Sequence, residues 1–334
     1  MFIFLWMRED AFPGGARRAA VLLGKWPLLL GFAAWLAAEQ AAAAEREASA
    51  YAGPHSPSVI SAPAAMLPGV VPGRAPFVPK TLDALRRQVG EDFTCLAYGE
   101  ILVASDLCGG QTREIVDGLV AYVRESLAVS FFETPPDGPV TAYLLRDEDS
   151  YRRNLRDLFG MEPISPYGHY GHRQRYVIVN YATGAGTLVH ELVHALMAPD
   201  FPEAPIWLAE GLASLYEQSR AENGRLYGED NWRRPELEEA LSKGALPSLG
   251  TLFSHTPKAF RETGESLNYA LARYFCFYLQ ERGALERVYR AFRAGWAEDG
   301  TGARFVEEIL KKPLERVEAD FRRWLAEGPI APGE

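Results

Sequence analysis

Residues 190–194 read His-Glu-Leu-Val-His, inside the longer run Thr-Leu-Val-His-Glu-Leu-Val-His-Ala-Leu-Met. On a helix, positions four apart lie about 40° from each other around the axis and one turn along it. His190 and His194 therefore share a face, and Glu191, turned about 100° from His190, sits on its flank. Leu188, Leu192 and Leu196 occupy the far side and predict a helix anchored in a core. Sixteen residues after His194 comes Glu210, in Ile-Trp-Leu-Ala-Glu-Gly-Leu-Ala-Ser-Leu-Tyr. Here Leu208, Leu212 and Leu215 form a second apolar stripe, and Glu210 lies between its members. A carboxylate drawn inward needs a cation. Both demands are met if two helices pack side by side and point their polar groups at one place. Gly211, having no side chain, is read as the residue that lets the second helix approach the first.

Two imidazoles and one carboxylate make the three-ligand set of a catalytic zinc site, which keeps a fourth position open. His190-Glu191-x-x-His194 is the matching hydrolase pattern, with His190, His194 and Glu210 as metal ligands and Glu191 as general base. In that chemistry zinc lowers the pKa of its water to about 7. Glu191 takes the water's proton as a carbonyl is attacked and passes it to the leaving nitrogen. Ser214, one turn beyond Glu210, is either a hydrogen-bond partner of a ligand histidine or a small packing residue. Glu217, two turns on, is read as solvated.

Around this pair the chain divides in two. Helices are predicted over 82–89, 111–131 and 147–159, and strands within 96–107 and over 140–145 and 176–180. From residue 184 the pattern is helical throughout: 184–197, a break across Pro199–Pro205, then 206–219, 235–243, 266–282, 284–296, 302–310 and 313–326. Strands first and helices afterwards predict an α+β fold, a small mixed sheet followed by a mostly helical half that carries the two metal helices.

His-Glu-Leu-Val-His, a short Pro-containing loop and Trp-Leu-Ala-Glu-Gly-Leu-Ala resemble the gluzincins, specifically the small bacterial peptidase-MA-like domains. The resemblance covers about Ile101–Leu325. Outside the motif it rests on Val140–Tyr151, Tyr167–Asn180, Asn268–Leu279 and Leu310–Leu325. It implies a zincin-like fold, one zinc ion, and a peptide or protein substrate bound in extended form along the strand at 176–180, taken as the sheet edge. It also implies that Tyr269 is the donor that stabilises the oxyanion beside the metal. His255, in the polar loop Phe-Ser-His-Thr-Pro, and His169 with His172, before the strand at 176–180, are candidates for the cleft rim; otherwise they are surface residues. His55 is read as exposed. Two other readings stay open: a catalytically silent binding or scaffold domain of the same fold, and a zinc hydrolase of a non-peptide amide or ester.

Residues 1–44 carry Arg17, Arg18 and Lys25, the apolar run 26–38 and small residues ending in A-x-A patterns at Ala44 and Ala50. This is the layout of a secretory signal peptide. The run is shorter than the roughly 20 residues of a spanning helix, though its flanks leave an uncleaved membrane anchor open. The expectation is an exported, periplasmic or extracellular protein that meets a membrane only if this segment is retained. Residues 45–80, rich in Pro, Ala, Gly and Ser, are read as an extended linker, and 81–330 as the folded domain. Export permits a disulfide, and Cys95 and Cys108 flank a strand or hairpin, so a bridge between them is one of two open readings. Cys276 lies in an apolar helical run and is read as a buried thiol. A net charge of −9 on 334 residues excludes nucleic acid as a partner, because phosphate contact needs a basic surface.

Overall fold

A computed structural model describes residues 77–328. The signal-peptide reading, His55 and all but the end of the linker lie outside them. Of the linker, Val78 is buried and the Pro79 carbonyl accepts a hydrogen bond from Thr141 Oγ1.

The first half builds a five-stranded sheet. Helix α1 (Leu82–Val89) precedes the hairpin β1 (Thr94–Tyr98) and β2 (Ile101–Ser105). A long helix follows in three stretches: α2 (Gly109–Glu114), a π-helical turn (Ile115–Val120) and α3 (Ala121–Ser130). Then come β3 (Val140–Leu145), α4 (Glu148–Phe159), β4 (Gly168–Gly171) and β5 (Tyr176–Asn180). The order is β1-β2-β3-β5-β4; β2, β3 and β5 run parallel, and both outer strands are antiparallel to their neighbours. Every residue of β2, β3 and β5 is buried, because helices cover both faces. Alternate side chains divide accordingly. Val103, Ala142 and Val177 join the core beneath the helices that carry His190 and Glu210, while Leu102, Tyr143 and Ile178 pack with Leu85, Tyr151 and Leu155 on the other side.

This topology corrects one expectation. The strand Tyr176–Asn180 forms where the sequence predicts it, but it is internal. The edge on this side is β4, in register with it from Gly168↔Val179 to Gly171↔Tyr176. Gly-His-Tyr-Gly is short, and its glycines read as a turn. Both glycines are needed, since a Cβ at Gly168 would lie 2.6 Å from the Ile178 carbonyl and one at Gly171 would enter the Tyr176 ring.

The second half is helical: α5 (Ala185–Asp200), α6 (Ile206–Glu217), the hairpin β6 (Ser219–Glu222) and β7 (Arg225–Gly228), then α7 (Arg234–Ser242), α8 (Leu249–Ser254), α9 (Pro257–Glu262), α10 (Glu265–Glu281), α11 (Leu285–Gly295), α12 (Ala303–Leu310) and α13 (Leu314–Glu327). The α+β reading stands. The break expected at Pro199 does not occur there: α5 runs through it to Asp200. The Asp200 carboxylate accepts from the backbone of Glu133 and Thr134, from Tyr289 Oη and from Arg293, tying the helix end to α11 and to the end of α3.

Helix α6 packs on α10 more extensively than on α5. Gly211, expected to face α5, instead faces α10: a Cβ there would sit 2.8 Å from both the Ala272 carbonyl and Cys276 Sγ. Gly211→Ala is therefore expected to force the helices apart and cost about 1–3 kcal/mol, measured by chemical denaturation. A cost near zero would show that the α6–α10 contact can relax. The cysteines are all unpaired, so the Cys95–Cys108 bridge does not form: Cys95 is buried in β1, whereas Cys108 is exposed at the start of α2. Cys276 is a buried thiol, as expected. Among the described residues no helix is long and apolar enough to cross a membrane.

Candidate metal centre

Helix α5 is buried almost all round, lying on β4 and β5 on one side and α6 on another. A helix in that position needs apolar residues on every face, which Leu188, Val189, Leu192 and Val193 supply. The polar residues left inside it, His190, Glu191 and His194, then require partners. His190 and His194 turn their Nε2 atoms to within 3.1 Å of each other. From α6, Glu210 brings Oε2 to 3.4 Å from His190 Nε2 and 3.3 Å from His194 Nε2. All three residues are buried.

The spacing tests whether an ion fits. Donors held tetrahedrally about 2.0–2.1 Å from zinc are separated from one another by about 3.3–3.4 Å. The observed triangle of 3.1, 3.3 and 3.4 Å is close to that on every side. Both oxygens of Glu210 are shut off from water and make no hydrogen bond. Electrostatics point the same way. Burial alone would raise the Glu210 pKa, yet His194 and His190 hold it well below the usual carboxylate range. Burial alone would lower His190, yet Glu210 and Glu217 outweigh it and raise this imidazole to about 10. The cluster thus favours positive charge among these groups, which a protonated His190 or a cation held at the centre of the triangle would supply.

Glu191 is wholly buried, and neither of its oxygens has a hydrogen-bond partner. Burial raises its pKa, against the pull of His190 and His194. A carboxylate kept off the ligand triangle and left without partners is available to exchange a proton.

The sequence reading missed the residue that supports His190. Glu217 is largely buried, not solvated: its Oε1 lies 2.8 Å from His190 Nδ1. The approach is off the axis of the ring N–H, so the contact is close without meeting strict hydrogen-bond geometry. A carboxylate oxygen this close favours the proton on Nδ1 and leaves the lone pair of Nε2 toward the triangle. Gly186 explains the placement, since a Cβ there would lie 2.6 Å from the Glu217 carbonyl. The first turn of α5 can therefore touch the last turn of α6, and His190 is one turn further on. Arg233 lies 3.3 Å from Glu217, and together with His190 and Arg273 it holds the carboxyl at about 2 despite its burial. Arg273 is itself fully buried in α10 and lowered to about 10 by desolvation. Ser214 is buried and its hydroxyl makes no hydrogen bond, so it packs and does not hold a histidine.

Tyr269 is brought from α10 to the same region, its ring 5.1 Å from Phe260 and its phenol within the field of Glu210. Burial pushes its pKa well up, so it remains a hydrogen-bond donor. His172 is exposed at the turn after β4, within the fields of His194, Glu210 and Arg261. His169 faces away, buried with its Nε2 2.9 Å from Tyr176 Oη. His255 is half-buried, its ring 6.2 Å from Phe260. Arg261, from α9, approaches Glu210 Oε1 at 3.9 Å. No protein-family model matches the chain, and no curated protein matches its sequence.

Proposed function

We propose that the chain is a zinc-dependent hydrolase of the gluzincin type, with a zincin-like fold and peptides as substrates. The observation that carries this is the near-equilateral triangle of His190 Nε2, His194 Nε2 and Glu210 Oε2 with a partnerless Glu191 on the same helix. Two imidazoles and one carboxylate suit zinc, and three protein ligands leave a position free. When bound, the ion supplies Lewis-acid activation of water and carbonyl. Glu191 accepts the proton of the attacking water and delivers it to the leaving nitrogen, so that amine departs neutral. Tyr269 donates a hydrogen bond to the oxygen that gains charge. Glu217 fixes the tautomer of His190. β4, the outer strand on this side of the sheet, is the strand along which an extended peptide would lie, in place of the internal strand Tyr176–Asn180. With the signal-like segment at 1–44, the reading is of an exported enzyme.

The test is metal analysis of the purified protein followed by cleavage of a peptide library. About one zinc per chain is expected, as for a single three-ligand site. Glu210→Ala should weaken zinc binding by more than about a hundredfold, beyond what losing an outer-sphere partner costs. Zinc uptake unaltered in Glu210→Ala would refute the ligand set. A zinc-loaded protein that cleaves no peptide would refute the peptidase reading and leave a binding domain or a hydrolase of other amides.

A further inference from the structure

Glu210 presents its two oxygens to different neighbours. Oε2 faces both imidazoles, at 3.3 and 3.4 Å, whereas Oε1 faces the guanidinium of Arg261, whose Nη2 is 3.9 Å away. That separation is too long for a hydrogen bond, and both atoms are buried without partners. Arg261 Nε is orphaned in the same way, and so is Oε1 of Glu265, in the first turn of α10. Glu265 lies in the fields of Arg261 and Glu210. Two buried donors without acceptors thus share this region with two buried acceptors without donors: Nη2 is 3.9 Å from Glu210 Oε1, and Glu265 interacts with Arg261 at longer range. Nε and Nη2 form one edge of the guanidinium, where two N–H groups point in parallel. All of these atoms are closed off from bulk water.

We propose that Arg261, seated by Glu265, is a positioning residue for Glu210: it holds Oε1 and so confines Glu210 to the metal through Oε2 alone. The inference rests on the metal reading above. A carboxylate free to bind through both oxygens would occupy the position that the water needs. A guanidinium on Oε1 prevents this and offsets one of the two negative charges from Glu210 and Glu191 packed at the site. Arg261 belongs to the six-residue helix α9, which packs on both α6 and α10. Its docking is therefore tied to the arrangement of the metal ligand.

Cobalt(II) in place of zinc reads this out without activity, because four-coordinate cobalt absorbs visible light far more strongly than five- or six-coordinate cobalt. The full-length protein loaded with cobalt should show the strong four-coordinate spectrum. Arg261→Gln should weaken cobalt and zinc binding about 10–100-fold and reduce the absorption as Glu210 binds through both oxygens. Arg261→Lys, which keeps the charge but not the parallel N–H edge, should recover part of the affinity. Glu265→Gln should shift both readouts the same way by less. Wild-type affinity and an unchanged spectrum in Arg261→Gln overturn the proposal; if that variant does not fold, the same result in Glu265→Gln overturns it. A wild-type protein that takes up neither metal removes the metal reading itself, and this inference with it.

Discussion

Glu191→Gln should abolish most peptide hydrolysis while leaving the protein folded and its zinc in place. The expected fall in kcat is about 10²–10⁴-fold, the usual contribution of a positioned general base. Gln has the shape of Glu but cannot take a proton. Zinc content should not change, because Glu191 is outside the triangle formed by His190, His194 and Glu210. Stability should hold or rise. Both oxygens of Glu191 are buried without partners and burial raises its pKa, so removing the charge removes a desolvation cost. A residue that costs stability and is retained for chemistry is the common trade at active sites. Turnover on a cleaved peptide, metal analysis and thermal unfolding measure the three quantities. Wild-type turnover in Glu191→Gln would sink the assignment of the base.

Glu217→Ala should damage both metal binding and the fold. Its carboxylate lies 2.8 Å from His190 Nδ1 and 3.3 Å from Arg233. Losing the contact to a ligand histidine should weaken zinc about 10–100-fold. Losing the anion leaves the buried charges of Arg233 and Arg273 uncompensated, at a cost of about 3–5 kcal/mol. Glu217→Gln keeps the shape and should retain part of the zinc affinity but little of the stability. The pH dependence follows. The folded pKa of Glu217, about 2, lies below the value of 4.5 for an unperturbed carboxyl. Its contribution is full above that ordinary value and is lost as pH falls through the folded one. The wild-type advantage over Glu217→Gln in metal-free protein should therefore shrink between about pH 4.5 and 2. Urea titrations across that window test it; a gap that stays constant would mean that the charge of Glu217 is not what stabilises.

These two residues mark how far the sequence could be read. The placement of Glu191 is legible because it depends on one helix: the spacing of His190, Glu191 and His194 sets their angles, whatever surrounds them. Glu210 is legible at one remove, because apolar residues on every side of α6 leave that helix buried all round. Glu217 lies two turns beyond Glu210, where a carboxylate ordinarily faces water. What buries it is the touching of α5 and α6 at Gly186, together with Arg233 from the loop before α7. Arg261 and Glu265 come from a short helix and a later helix start, and no local pattern connects them to Glu210.

The strands divide in the same way. Val140–Leu145 and Tyr176–Asn180 have side chains that suit a pleated, buried surface, and they form as predicted. Their order in the sheet is decided by hydrogen bonds between segments distant in sequence. The Gly-rich β4 is stabilised by its neighbour, not by its own side chains, so a strand that reads as a turn becomes the edge. Gly211 shows the limit most plainly: the need for close approach is visible in a helix lacking one side chain, but the partner, α10 and not α5, is not.

By itself, then, the chain determined which groups lie on which helix face, because periodicity is a property of neighbouring residues. It also pointed to the three groups that the structure brings together, because a buried carboxylate and two buried imidazoles call for positive charge where they meet. Only the tertiary structure decided which strand is the edge, which carboxylate holds His190 and which cations surround Glu210 and Glu217. Those outcomes depend on contacts between segments far apart in the chain, and their energies exist only once the core has closed.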